Sequence, residues 1–220
     1  MDRPRAPRPR PIGAGGSALA RVQEARRSIR DYGERPLGAG QLGEFLYRVG
    51  RLAAYWQGEV WTPTGAVRLA FAPRPYPAGG SLYELELYVV VNACEGLEAG
   101  LYHYDAERHR LGRRPAAVAD IEGLLQDAAR GTAIPRERLQ VLIVVAARFP
   151  RIAWKYAAIA YSLVLKHVGV LYQTMYLVAT AMDLAPCGVG SGNSDRFARA
   201  AGTDYYAESS VGEFLLGSRG

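Results

Sequence analysis

The segment Arg26-Arg27-Ser28-Ile29-Arg30 places two guanidinium groups and a hydroxyl at alternating positions. In an extended stretch alternate side chains point the same way, so Arg26, Ser28 and Arg30 converge on one point. A phosphate suits that convergence, because arginine donates in a planar, bidentate fork. Solvated basic surface is the other reading of the cluster. Lys155-Tyr156 is a second candidate. A lysine against apolar walls gives up its proton more readily, since desolvation disfavours the charged form, and so can act as a general base. A lysine snorkelling from a helix end is the alternative. Pro77-Ala78-Gly79-Gly80-Ser81 precedes a strand. It is either a plain turn or a backbone shelf whose N–H and C=O groups meet a heterocycle. Gly188-Val189-Gly190-Ser191-Gly192-Asn193 is read as ending a long helix and letting backbone approach something flat. A dinucleotide loop is not expected there, because no βαβ unit surrounds it.

Other polar residues carry less. His103, His109 and His167 share no metal-type spacing with cysteines or carboxylates, and no metal is expected. His103 is read as a strand surface residue. Glu84 and Glu86 are read as facing solvent or holding one structural hydrogen bond, with a paired acid/base role as the alternative. No Gly-x-Ser-x-Gly and no Walker loop occurs, so hydrolase and P-loop chemistry lack support.

Hydrophobic periodicity supplies the elements that must position these residues. Ala18 to Ala25 reads as a helix, and Leu37 to Ala53 as a second with Leu42, Phe45, Leu46, Val49 and Leu52 on one face. Residues 54–83 read as irregular. Glu84 to Ala93 starts alternating and turns fully apolar, as a strand entering a core does. Gly100 to Asp105 and His109 to Arg113 read as a hairpin, Val118 to Arg130 as a short helix, and Leu139 to Ala147 as a central strand. Tyr156 to Leu184 reads as one long helix, apolar nearly all round and therefore buried, with Lys155 at its start. Ser194 to Ala201 is a short helix and Ser209 to Gly217 a closing strand. No linker or repeat divides residues 18–220, so one α+β domain is expected. Residues 1–17, rich in Arg, Pro and Gly, are expected to be a disordered tail.

The formal charge is +6, and Arg3, Arg5, Arg8 and Arg10 against Asp2 give +3 within the first ten residues. The remaining +3 is too modest to argue for nucleic acid. No uncharged apolar run reaches the ~20 residues of a membrane span. Two distant cysteines, Cys94 and Cys187, fit a reducing cytoplasm.

In order, these segments resemble the SagB-type branch of the FMN-dependent nitroreductase superfamily. Arg26 to Tyr32 is similar to its FMN-phosphate motif and Tyr76 to Tyr88 to its proline–glycine segment and following strand. Gly100-Leu101-Tyr102-His103-Tyr104-Asp105 is similar to its hairpin, Trp154-Lys155-Tyr156 with Tyr161 to its Lys-Tyr helix, and Gly212 to Gly217 to its closing strand. The resemblance implies a nitroreductase-like fold, with a central mixed or antiparallel sheet flanked by helices and a long buried helix at a homodimer interface. It implies oxidation of thiazolines or oxazolines in a peptide, free or carrier-tethered, beside a cyclodehydratase or synthetase, with O2 as the final acceptor. Arg26, Arg27, Ser28 and Arg30 would hold the FMN phosphate, with Arg219 joining from the C-terminus. Pro77, Ala78, Gly79, Gly80 and Ser81, with Gly188, Val189 and Gly190, would contact the rest of the cofactor. Lys155 and Tyr156 would be base and proton relay. Two departures stand out: Ala78 replaces a frequent serine, and Lys166-His167-Val168-Gly169 replaces an Asp-x-Gly. An NAD(P)H-dependent nitroreductase or quinone reductase, and a non-catalytic scaffold, are the alternatives.

Overall fold

The computed structural model describes residues 17–62 and 65–220. The expected disordered tail lies outside the described residues except for Ser17, whose hydroxyl accepts the Ala20 N–H at the start of α1, Ala18–Ala25. Helix α2, Ala39–Gly50, follows and buries Leu42, Phe45, Leu46 and Val49 at the expected spacing. A hairpin comes next, β1 Trp56–Thr62 and β2 Gly65–Phe71, where an irregular stretch was expected. Its residues are mostly exposed, so no run of apolar residues marks it in the sequence.

The main sheet has six strands in the order β5-β4-β3-β6-β8-β7, all neighbours antiparallel. They are β3 Leu85–Val91, β4 Gly100–Asp105, β5 Arg110–Arg114, β6 Val141–Arg148, β7 Leu184–Val189 and β8 Glu208–Ser218. Strand β3 is buried throughout, and β6 all but its last residue. The reason is that both faces are covered. Leu85, Leu87, Val89, Ile143 and Val145 pack beneath α2 and α5, Ala160–Ala181. Tyr88, Val90, Leu142 and Val144 pack beneath α3, Val118–Thr132, and α6, Ser194–Ala201. The result is a helix–sheet–helix sandwich. A bulge at Val211 shifts the β6–β8 register, so Val145 faces Gly212 and Ala146 faces Ser210.

Two expectations about the helical C-terminal half are corrected. The long helix expected over Tyr156 to Leu184 is present as α5 but runs only from Ala160 to Ala181: before it α4, Phe149–Tyr156, ends at Ala157, whose φ is 40°, and a 3-10 turn leads into α5. Helix α5 is also not buried all round. Val164, His167, Val168, Leu171, Met175 and Ala179 form the buried stripe, while Tyr161, Leu165, Lys166 and Gln173 are exposed. Its end is set by Asp183, with φ 54°, and β7 begins at Leu184. Gly188 therefore closes a strand and does not end a helix. With every sheet contact antiparallel, β7 and α6 still form no dinucleotide-binding unit.

Candidate functional site

Strand β7 is an edge of the sheet, which is where a proline such as Pro186 is tolerated. The segment after α1 covers that edge: Ile29 N–H donates to Pro186 C=O at 2.8 Å. Ser28 Oγ then lies 2.7 Å from Tyr176 Oη, and the same Tyr176 Oη accepts the Gly188 N–H at 2.7 Å. The Arg26 guanidinium sits 5.2 Å from the centre of the Tyr176 ring. One side chain of α5 thus joins the arginine motif to the second glycine segment. Arg26 is half-buried, and Arg27 and Arg30 are exposed. None of the three pairs with a carboxylate among the described residues, whereas Arg148, Arg196 and Arg199 all do.

Arg219 is brought to the same neighbourhood by a buried amide. Gln140 Oε1 accepts the Leu37 and Ser218 N–H groups at 2.9 and 2.8 Å, and Gln140 Nε2 donates to Gly33 C=O and Ser218 Oγ at 3.2 and 2.9 Å. These bonds pin residues 33–37 to the end of β8, and Tyr32 pairs with Arg219 as an isolated bridge. The Arg219 guanidinium itself is held by Asp183 at 2.5 Å. An anion reaching Arg219 must compete with that carboxylate.

The second group lies further along α5. Pro77 to Ser81 ends in a 3-10 turn, Gly79–Ser81, in which Gly80 takes φ +61°. A Cβ at Gly80 would stand 2.7 Å from Lys155 Nζ and 2.8 Å from Tyr156 Oη. The shelf and the Lys-Tyr pair therefore face each other. Their setting differs. Lys155 is at the end of the short α4, not the start of the long helix, and it is exposed. The apolar walls expected around it are absent from the single chain.

Beneath the turn sits a pair that sequence reasoning missed. Gly79 N–H donates to His167 Nε2 at 2.8 Å, and His167 Nδ1 lies 2.6 Å from Glu84 Oε1. Glu84 is fully buried and its Oε2 has no partner among the described residues. Glu84 thus holds a structural hydrogen bond as one of its expected alternatives, but solvent is excluded. Glu86 is buried as well, between His103 at 3.0 Å, Arg148 at 3.2 Å and Arg74 at 3.7 Å. His103 is accordingly a half-buried hydrogen-bond partner of Glu86, not a free surface residue. The only local signal was the departure at Lys166-His167; the pairing to Glu84 spans the fold.

Between the two groups a cavity of about 370 Å3 is lined by Val168, Tyr172, Val189, Gly190, Gly212 and Glu213, among others. His167 and Tyr176 bracket this stretch of α5, about 13 Å apart along its axis at ~1.5 Å per residue. Arginine forks without a carboxylate partner among the described residues at one end, and a side-chain-free cradle at Gly80 at the other, fit a molecule with a phosphate and a flat ring, such as FMN.

The description Nitroreductase family matches residues 24–217. A protein of Methanocaldococcus jannaschii named as a nitroreductase, MJ1384, is 28% identical over 173 residues, covering 76% of this chain and 75% of its own. The microcin B17-processing protein McbC of Escherichia coli is 29% identical over 115 residues, covering 50% of this chain and 42% of McbC. Among solved structures, the E. coli microcin synthetase McbBCD complex with truncated pro-MccB17 bound superposes with a TM-score of 0.67 at 19% identity, covering 98% of this chain and 79% of that one. An Exiguobacterium sibiricum nitroreductase-type structure in complex with FMN gives 0.58 at 14% identity, covering 93% and 89%. The likeness to McbC supports the SagB-type branch. The family match runs from the end of α1 into β8, across both groups of the site, and the fold agrees with it: the chain belongs to the nitroreductase family.

Proposed function

We propose that residues 18–220 form one FMN-binding domain that oxidises thiazoline or oxazoline rings in a peptide to thiazoles or oxazoles. The observation that carries the reading is the meeting of Lys155 Nζ and Tyr156 Oη over the Gly80 backbone. Aromatising an azoline removes a proton and a hydride from neighbouring carbons, so a base must stand where a flat cofactor and a flat substrate meet. The chemistry FMN supplies when bound is acceptance of the hydride at N5 and return of the electrons to O2. Arg26, Arg27, Ser28 and Arg30 would hold its phosphate. Pro77 to Ser81 and Gly188 to Gly190 would lie along the ring and ribityl chain. Lys155 Nζ would take the ring-carbon proton and Tyr156 Oη would relay it.

Lys155 is exposed, and a base works best when water does not stabilise its charge. Trp154, Ile159, Tyr161 and Leu165, which lie along α4 and the start of α5, are 44–60% exposed, apolar surface that a second copy of the chain would cover. The reading therefore includes a homodimer. It also includes a synthetase partner and a peptide substrate, on the likeness to McbC. Among the described residues no helix is long and apolar enough to cross a membrane, and both cysteines are free. The cytoplasm is the location proposed.

The test is aerobic incubation of FMN-loaded protein with a thiazoline peptide. Loss of two hydrogens in the mass spectrum is expected from the native protein. It should be absent from Lys155→Ala with FMN still bound. Turnover by Lys155→Ala at the native rate sinks the assignment of the base.

A further inference from the structure

Glu84 and His167 take no part in the chemistry above, yet they are the most deeply buried ionisable pair at the site. Their hydrogen bonds allow one protonation pattern. His167 Nε2 accepts the Gly79 N–H, so Nε2 carries no proton. The ring proton must sit on Nδ1, where it is donated to Glu84 Oε1. An imidazolium, or the opposite tautomer, would turn a proton toward the Gly79 N–H and break the tie.

What the tie holds is a strained turn. Gly80, Ser81 and Tyr83 have φ of +61°, +55° and +47°. Non-glycine residues keep such angles only where their surroundings over-determine them. The far end is fixed by Arg151 Nε, which donates to Leu82 C=O at 2.6 Å. The near end is fixed by His167. Arg151 is on the same helix as Lys155, so the turn is referenced to the base at one end and to α5 at the other.

We propose that Glu84 and His167 are positioning residues: Glu84 selects the Nδ1–H tautomer, and His167 then holds Gly79 so that Gly80 is presented to Lys155 and Tyr156. The effect on turnover rests on the function proposed above; the tie itself does not. Misplacement of reacting groups by about 1 Å can cost on the order of a hundredfold in rate, which sets the expected size.

The chain has three histidines, so ring 15N resonances can be assigned in the native protein. An unprotonated Nε2 and a protonated Nδ1 are expected at His167. A protonated Nε2 overturns the proposal without any variant. In His167→Leu, amide exchange of the 79–82 segment should rise about tenfold or more with or without FMN. With FMN content unchanged, kcat should fall about a hundredfold while KM stays within about twofold. His167→Gln, whose Oε1 can accept the same N–H, should recover most of both. Unchanged exchange in His167→Leu, or a glutamine variant no better than the leucine one, overturns the proposal. If the leucine variant does not fold, the native tautomer decides. A native protein that shows the tautomer and the slow exchange but oxidises no azoline keeps the tie and refutes the proposed function.

Discussion

Tyr176 Oη lies 2.7 Å from Ser28 Oγ, a residue 148 positions away in the sequence. Through its second bond, to the Gly188 N–H, Tyr176 makes the arginine segment and the end of β7 one unit. The end of the site proposed to hold the phosphate is therefore built on α5 as well as on residues 26–30. Tyr176→Phe removes both bonds and leaves the Gly188 N–H without its acceptor. A loss of about 1–3 kcal/mol of stability is expected by calorimetry, with FMN affinity weakened about tenfold by fluorescence titration. Unchanged values in both would show that the two segments hold together without it.

Arg26→Ala should weaken FMN binding more than it weakens the fold. Arg26 is half-buried and, among the described residues, has no carboxylate partner, so a phosphate would be its charge partner. A charge-assisted hydrogen bond contributes about 1.5–3 kcal/mol, or roughly 10- to 150-fold in affinity. A variant that purifies fully loaded with FMN contradicts the phosphate role.

Gly80→Ala tests the cradle. The new Cβ would meet Lys155 Nζ and Tyr156 Oη, and φ +61° would strain any side chain there by about 1–2 kcal/mol. Both functional groups must shift. The expected outcome is a kcat lowered at least about tenfold with FMN still bound. A native kcat would place the chemistry elsewhere.

Two buried carboxylates should respond to pH in opposite senses. Burial pushes the Glu86 carboxyl up, but the His103 hydrogen bond and the Arg148 and Arg74 charges outweigh it and hold it below the usual range. Its stabilisation is present above the unfolded value, about 4.3, and is lost as pH falls through the lower folded value. Burial also pushes Glu213 up, and the Ser210 hydroxyl only partly offsets it. Glu213 therefore favours the fold at low pH, and that contribution is lost as pH rises through its raised value. Glu213→Gln should raise the Tm by about 2–4 °C at pH 7, on the scale of ~1 kcal/mol, and do nothing near pH 4. Glu86→Gln should lower it at pH 7. The same sign for both variants at pH 7 would contradict this account.

The fold was legible where burial is written into local pattern. The apolar run of β3, the Gly100–Asp105 hairpin and the Ser194–Ala201 helix are where periodicity put them. The exposed hairpin at 56–71 was not, because its residues pack against little and carry no apolar run. The break at Ala157 was invisible for another reason. Neither Gly nor Pro marks it, and the alanine that takes φ 40° there carries no local signal. The reading put Lys155 at the start of a long buried helix, whereas it lies exposed in the last turn of the short α4. Strand β7 was hidden because Pro186 and Gly188 read as loop residues, whereas an edge strand tolerates both. At the site, residue types flagged the arginine segment, the glycine turn and Lys155. The pairing of Glu84 with His167 went unseen, since it depends on how α5 crosses β3.

The most direct test is anaerobic mixing of the FMN-loaded protein with a thiazoline peptide and, in a separate run, with NADPH, following the visible absorbance of the oxidised flavin. The account predicts rapid bleaching by the thiazoline peptide, with thiazole formed in equal amount, and little by NADPH. Rapid bleaching by NADPH with none from the peptide would contradict it and identify an ordinary nitroreductase. A protein that takes up no FMN would contradict the cofactor assignment itself.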